Sequence, residues 1–365
     1  MKNLLLVSIV LLTLFCACSK DGPIADNFPE CEMDNPLPKG NRVLGLDLLD
    51  LTESNTFDQN IDLAKELGIN FIALHLPWRF IETTPNHYVD PYNAIELLGQ
   101  VAVANNLKLS LTIRPIDLTG KMVPYDLENV RFNDFEMINR FKSVVDFVFT
   151  KINSNTLLNI QIGNEIDGYN TSNESPVFWE DYGFFLHEIT NYIHSINPNV
   201  KVGFTGTCYG LLQNPTRFNT LLQSVDILGV TYYPINNDFR VKEPSTVFSD
   251  LDNLSTAFDT KPIYMQEVGY PSSETNNSSE EKQANFFCNF FKAWDSHANS
   301  IKSISIVRLN NLSKQGAMDA AEPYGISDSE FIEYLRTLGL RTFDKAGTNK
   351  KAFETIKDNA VARGW

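Results

Sequence analysis

LLNIQIGNE, residues 157–165, runs apolar with polar positions interleaved, meets a glycine at Gly163 and ends on an amide and a carboxylate. So short a run predicts a β-strand. On its N-terminal side, residues 134–152 carry apolar positions at helical spacing. On its C-terminal side residues 177–196 do the same, with Pro176 placed where a first helical turn accepts proline. This strand between two amphipathic stretches is one unit of an alternation that continues in both directions. Strand-like runs fall at 43–48, 70–76, 107–113, 157–162, 200–205, 226–232, 261–268 and 303–309. Helix-like stretches fall at 57–67, 91–104, 134–152, 177–196, 215–224, 245–258, 279–297 and 328–339, and a last amphipathic stretch covers 350–362. Eight strands, each followed by a helix, predict an α/β protein folded as a single (β/α)8 TIM barrel. A doubly wound open sheet would alternate too, but it normally carries a Gly-rich phosphate turn after its first strand. Leu49, Asp50, Leu51, Thr52 and Glu53 offer none.

The 365 residues are 43% hydrophobic and 21% charged, proportions that permit a sizeable core and exclude a disordered, collagen-like or polytopic membrane chain. A formal net charge of −15 repels phosphates and anionic headgroups, so no nucleic-acid partner is expected. Lys2 followed by the apolar run Leu4 to Phe15 reads as a signal peptide over 1–17, too short to span a bilayer. Ala17-Cys18 before a polar stretch resembles a bacterial lipoprotein processing site, which implies lipid on Cys18 and a place in the cell envelope, at the outer membrane or cell surface. Ordinary signal cleavage with Cys18 incidental is the alternative. Residues 18–40, with Pro23, Pro29, Pro36 and Pro38, read as a semi-extended tether, and 41–365 as the folded domain. Cys31, Cys208 and Cys288 are odd in number and irregular in spacing, so no disulfide framework is expected.

A barrel of this kind carries its chemistry where strands end and βα loops begin. The residues at the eight strand ends are Asp47, His75 with Trp78, Arg114, Asn164 with Glu165, Thr207, Thr231 with Tyr233, Glu267, and Arg308 with Asn310. Glu165 and Glu267 stand out, because a carboxylate closing a buried strand is costly unless it is partnered or used. Gly163-Asn164-Glu165, Thr231-Tyr232-Tyr233-Pro234 and Glu267-Val268-Gly269-Tyr270-Pro271-Ser272, in that order on strands 4, 6 and 7, resemble the retaining glycoside hydrolases built on (β/α)8 barrels, with cellulase, β-mannanase and endo-galactanase families among them. The resemblance covers essentially the whole domain. It implies an endo-acting β-glycanase, Glu165 as acid/base, Glu267 as nucleophile, Asn164 on the sugar 2-hydroxyl and Tyr233 bonded to the nucleophile. A polysaccharide or oligosaccharide would be the substrate, with no cofactor and no metal, and the protein a monomer.

The pair makes chemical sense independently, since retention needs two carboxyls about 5–5.5 Å apart, one to protonate the leaving oxygen and one to attack. Strand alternation puts Thr231 and Tyr233 on one side and Tyr232 on the other. Asn159, Gln161 and Glu165 share a parity, so strand 4 has either polar interior residues or a bulge near Gly163. The cellulase-like families place an Arg on strand 2, where this chain has Ala73, and Arg114 is a candidate to supply that charge; a rim ion pair is its other reading. They also often place a Trp after strand 8, where this chain reads Ile306-Val307-Arg308-Leu309-Asn310-Asn311. Asp47, His75, Trp78 and Asn310 complete the expected substrate-binding set. Trp78, Tyr169, Trp179 and Tyr270 lie in or beside βα loops and could stack on sugars or pack against the barrel. His187-Glu188 lacks a second zinc ligand at Asn191, and no Gly-x-Ser-x-Gly elbow occurs.

Overall fold

The computed structural model describes residues 31–33, 35–169 and 176–365; the expected signal peptide and Cys18 lie outside the described residues. Eight parallel strands form the barrel: β1 (Val43–Leu46), β2 (Phe71–Pro77), β3 (Lys108–Asp117), β4 (Leu157–Asn164), β5 (Lys201–Thr207), β6 (Ile227–Tyr232), β7 (Ile263–Val268) and β8 (Ile301–Ile306). Each pairs with the next, and β8 closes on β1 through Val43 opposite Ser303. The outer ring consists of α1 (Phe57–Glu66), α2 (Ala94–Ala104), α3 (Phe135–Lys151), α4 (Pro176–Ile196), α5 (Pro215–Leu222), α6 (Thr246–Ala257), α7 (Glu280–Ser296) and α8 (Lys351–Arg363).

Local signals explain these boundaries. Thr56 and Gln59 make a reciprocal capping box at the start of α1, and Asp134 and Ser279 cap α3 and α7. Between barrel and ring lies a continuous apolar layer that includes Phe141, Phe185, Phe204, Phe286, Phe290 and Trp294. Within the barrel, polar side chains replace the usual branched aliphatics: Ser110, Asn159, Gln161, Thr205 and Gln266 are all at most 2% exposed. Ser110 Oγ lies 3.1 Å from Asn159 Oδ1 and 3.0 Å from Gln266 Oε1. Asn159 and Gln161 therefore are interior polar residues, one of the two arrangements expected for β4.

Three expectations are corrected. The helix expected at 328–339 exists as Ser329–Arg336, but it is not the eighth ring helix. Its apolar residues form a satellite cluster separate from the main core, whereas Ala352, Phe353, Ile356 and Ala360 of α8 join the main core. Residues 312–338 are thus an insertion between β8 and α8, with a second helix at Lys314–Ala321. The tether, too, is docked over its described part. Cys31 and Cys288 form a disulfide, against the expectation from cysteine parity. Lys39 N donates to Arg363 O at 2.8 Å, and Leu37 N donates to Asp295, whose carboxylate also pairs with Arg42 and Arg363. Folded structure therefore starts upstream of Asn41. Cys208 is a free, buried thiol.

Candidate active site

The C-terminal ends of the strands open into a cavity of about 860 Å³. Glu165 and Glu267 both line it, along with Asp47, His75, Arg114, Asn164, Thr231 and Tyr233. Backbone geometry turns Glu165 inward. Gly163 has φ +88°, and a Cβ there would lie 2.5 Å from the Tyr182 hydroxyl, so only glycine fits. Glu165 itself sits in the left-handed region (φ 46°, ψ 44°), an uncommon state for a non-glycine residue and one that clusters at functional sites. A register shift beside Gly163, between the pairs Ile113–Ile162 and Asp117–Asn164, is present together with the polar strand interior.

Each glutamate has its own partner on β6 or just after it. Thr231 Oγ1 donates to Glu165 Oε1 at 2.7 Å, and the Tyr233 hydroxyl donates to Glu267 Oε2 at 2.5 Å. Tyr232, between them, faces outward and donates to Asp250, as strand alternation requires. Burial pushes the Glu165 carboxyl up to about 8, and the negative charge of Glu267 adds to the shift. A proton therefore resides on Glu165 at neutral pH. His75 is held neutral, its pKa pushed down to about 3 by burial and by the Arg114 charge; its Nδ1 lies 4.0 Å from Glu267 Oε1. Burial and the neighbouring Asp50 raise Asp47 to about 7.

The cavity gathers Asp47, His75, Arg114, Asn164, Glu165, Tyr233 and Glu267, but two members of the expected set go elsewhere. Trp78 is fully buried, donates from Nε1 to Glu82 and packs edge-on against Phe141 of α3. Asn310 is fully buried and ties Asp50 O to Asn60 Oδ1. Both are structural supports in this arrangement. Trp179 and Tyr270 are likewise buried, and Tyr169 packs against the core. Arg114 lines the cavity with its guanidinium bonded to Asp117 at 2.6 Å.

Asp117 is the residue that strand reading overlooks. It accepts from Asn164 Nδ2 at 3.1 Å as well as from Arg114, and so fixes the amide beside Glu165, leaving Asn164 Oδ1 buried without a protein partner. The strand expected at 107–113 continues as β3 to Asp117 through a register shift after Ile113. The insertion after β8 adds the remaining wall with Tyr324, Ile326, Phe331, Tyr334, Leu335 and Leu338.

No protein-family model matches the chain, and a search of curated proteins finds no match. Solved structures of glycoside hydrolases share its fold. An exo-β-1,4-mannosidase from Opitutaceae bacterium strain TAV5 superposes with a TM-score of 0.68 at 16% identity, covering 88% of this chain and 59% of the mannosidase. This chain thus spans about three fifths of that protein's length. The GH53 catalytic domain of Ignisphaera aggregans gives 0.65 at 16% identity over 89% of this chain and 99% of the domain. A psychrophilic glycoside hydrolase family 10 endo-β-1,4-xylanase gives 0.60 at 13% over 87% and 97%. At such identities the likeness establishes the (β/α)8 barrel.

Proposed function

We propose that the chain is a retaining O-glycosyl hydrolase that cleaves β-linked polysaccharide by double displacement. The observation that carries this reading is the pair of glutamates ending β4 and β7, facing one cavity with unlike partners. Glu165, kept protonated by burial and by its neighbour's charge, gives its proton to the departing glycosidic oxygen. Glu267, oriented by the Tyr233 hydroxyl, attacks the anomeric carbon as the bond to that oxygen breaks. Glu165, now ionised, takes a proton from water, whose oxygen displaces Glu267 and frees the sugar with its configuration kept. Asn164 is suited to the sugar 2-hydroxyl, since its Oδ1 has no protein partner. Asp47, His75 and Arg114 offer further polar contacts. A cavity of 860 Å³, within the range of roughly 300–1,000 Å³ that buries a drug-sized ligand, exceeds the needs of one sugar ring and accommodates endo-acting cleavage.

The enzyme is further proposed to be held in the bacterial cell envelope by lipid on Cys18. The Cys31–Cys288 disulfide supports an oxidising compartment. Incubation with a panel of β-glycans tests the activity. Reducing sugar should appear, and proton NMR before mutarotation should find the first product in the β configuration. An α product would make the mechanism inverting, and no product from any glycan would favour a non-catalytic glycan-binding barrel.

A further inference from the structure

Three exposed aromatic rings stand on the rim of the barrel mouth, outside the cavity. Phe80 follows β2, Tyr125 lies in the loop after β3, and Phe135 opens α3; 53%, 74% and 80% of these residues are exposed. None of them lines the cavity. Strand ends and the starts of the following helices share one face of a (β/α)8 barrel, so all three rings lie on the side of Glu165 and Glu267. Aromatic rings gain much from burial, and three left in water in one neighbourhood mark a binding surface.

A buried arginine draws the three ring-bearing segments together. Arg140, 5% exposed, donates from Nε to Glu82 Oε1 at 2.9 Å and from Nη2 to Asp126 Oδ1 at 3.2 Å, and its Nη1 lies 3.6 Å from Glu136 Oε1. Glu82 is two residues from Phe80, Asp126 one from Tyr125, and Glu136 one from Phe135. Arg79, beside Phe80, sets its guanidinium 5.7 Å from the centroid of the Tyr125 ring and donates to Lys121 O at 3.1 Å. The rings are thus held on one fixed frame. That frame is continuous with the cavity, since residues 118–125 run from Leu118, which lines it, to Tyr125.

The surroundings select the partner. Asp126, Glu128, Asp134 and Glu136 are exposed in the same loop and first helical turn, with the amides Asn129 and Asn133. Four carboxylates repel anionic headgroups and uronic-acid polymers, and the core of a protein interface is depleted of charge. A neutral sugar suits such a surface, because its hydroxyls donate to carboxylates and amides while its C–H face covers an aromatic ring.

We propose that Phe80, Tyr125 and Phe135 form a second glycan-binding site, on the rim between the loops after β2 and β3, that holds a neutral β-linked polysaccharide beside the cavity. The proposal rests on reading the cavity as a glycan site. Two attachment points on one polymer raise its effective concentration at the cavity, a gain that a short substrate does not share.

The test uses the full chain in two triple variants, Phe80→Ala with Tyr125→Ala and Phe135→Ala, and the ring-keeping Phe80→Tyr with Tyr125→Phe and Phe135→Tyr, each checked for an unchanged melting transition. Binding is measured by native affinity electrophoresis through soluble neutral β-mannan, β-galactan, xylan or β-glucan, in a Glu267→Gln background. The alanine variant should bind on the order of tenfold more weakly, and the ring-keeping variant nearly as its parent. In the active background KM for the polymer should rise by a similar factor, with kcat/KM for an aryl β-glycoside unchanged. Equal retention of the alanine variant, an equal loss in the ring-keeping variant or on the aryl glycoside, or no retention of the parent in any gel overturns the proposal. Ring-dependent binding to phosphatidylcholine–phosphatidylglycerol vesicles, or a ring-dependent dimer in sedimentation, without ring-dependent retention assigns the patch to a membrane or a second copy and overturns it too. Glycan hydrolysis with retention indifferent to the rings sinks the rim site alone, and ring-dependent retention without hydrolysis of any glycan sinks the catalytic reading alone.

Discussion

The proposed mechanism gives Glu165 and Glu267 separate tasks, and substitution should separate them. A general acid matters in proportion to how poor the leaving group is. Glu165→Ala should therefore lose on the order of 10²–10⁴ in kcat/KM on a natural glycan and far less on a dinitrophenyl glycoside. Glu267→Ala should abolish turnover of both, because every substrate needs the covalent bond. Equal losses on the two substrates for Glu165→Ala would refute the assignment. The pH dependence follows from the same proton. With Glu165 raised from 4.5 to about 8, kcat/KM should fall as pH rises through about 8. Stability carries the same sign: between 4.5 and 8 the folded chain holds a proton that the unfolded chain has lost, so raising the pH across that window costs stability. Glu165→Gln should flatten that slope in a melting series. The meeting of Glu165, Glu267, Thr231 and Tyr233 at one cavity was legible because strand termini and strand parity place them together. Asp117 was not, because the strand-like run of residues 107–113 stops short of it; nor was the structural use of Trp78, since an aromatic ring after a strand has the same sequence signature whether it faces sugar or core.

The insertion after β8 turns a general barrel into a particular pocket, and its attachment to the barrel is where it is vulnerable. Lys350, 2% exposed, places its ammonium among Ser272 Oγ, Asn311 Oδ1 and Thr337 O, so it joins the loop after β7, the end of β8 and the root of the insertion. Lys350→Met keeps the apolar stem but leaves those acceptors without their donor, at a cost of about 1–3 kcal/mol. The expected result is a lower melting temperature together with a raised KM, while labelling of Glu267 by an activated glycoside persists. A KM unchanged in a destabilised variant would mean that the insertion holds its place without Lys350. Here the sequence pattern was half sufficient. Periodicity over 328–339 locates a helix with an apolar face, and Phe331, Tyr334 and Leu335 are that face, but periodicity does not say which partner the face meets. The ring position fell instead to the last amphipathic stretch, α8, whose Phe353 and Ile356 reach the main core.

Across the whole molecule, the chain's entry and the candidate site lie at opposite ends. Leu37, Lys39 and Arg42 meet Asp295 and Arg363 at the C-terminal ends of α7 and α8, the side of a (β/α)8 barrel away from the catalytic mouth. The Cys31–Cys288 bridge fastens this entry segment to α7 across a sequence separation of 257. Cysteine spacing could not foretell it, because the partners are brought together by barrel closure and the third thiol, Cys208, is simply buried. Two substitutions should then have separate consequences. Cys288→Ser should lower stability by about 2–4 kcal/mol, the usual worth of a disulfide, with kcat/KM unchanged below the melting transition, since the cavity is remote from the bridge. Cys18→Ala should leave the melting temperature unchanged and move the protein from the membrane fraction to the soluble one, as loss of a lipid anchor requires. If Cys288→Ser also reduced kcat/KM at temperatures where the barrel is folded, the entry segment would be coupled to the mouth. If Cys18→Ala stayed with the membrane, the lipid proposal would fail while the barrel reading stood.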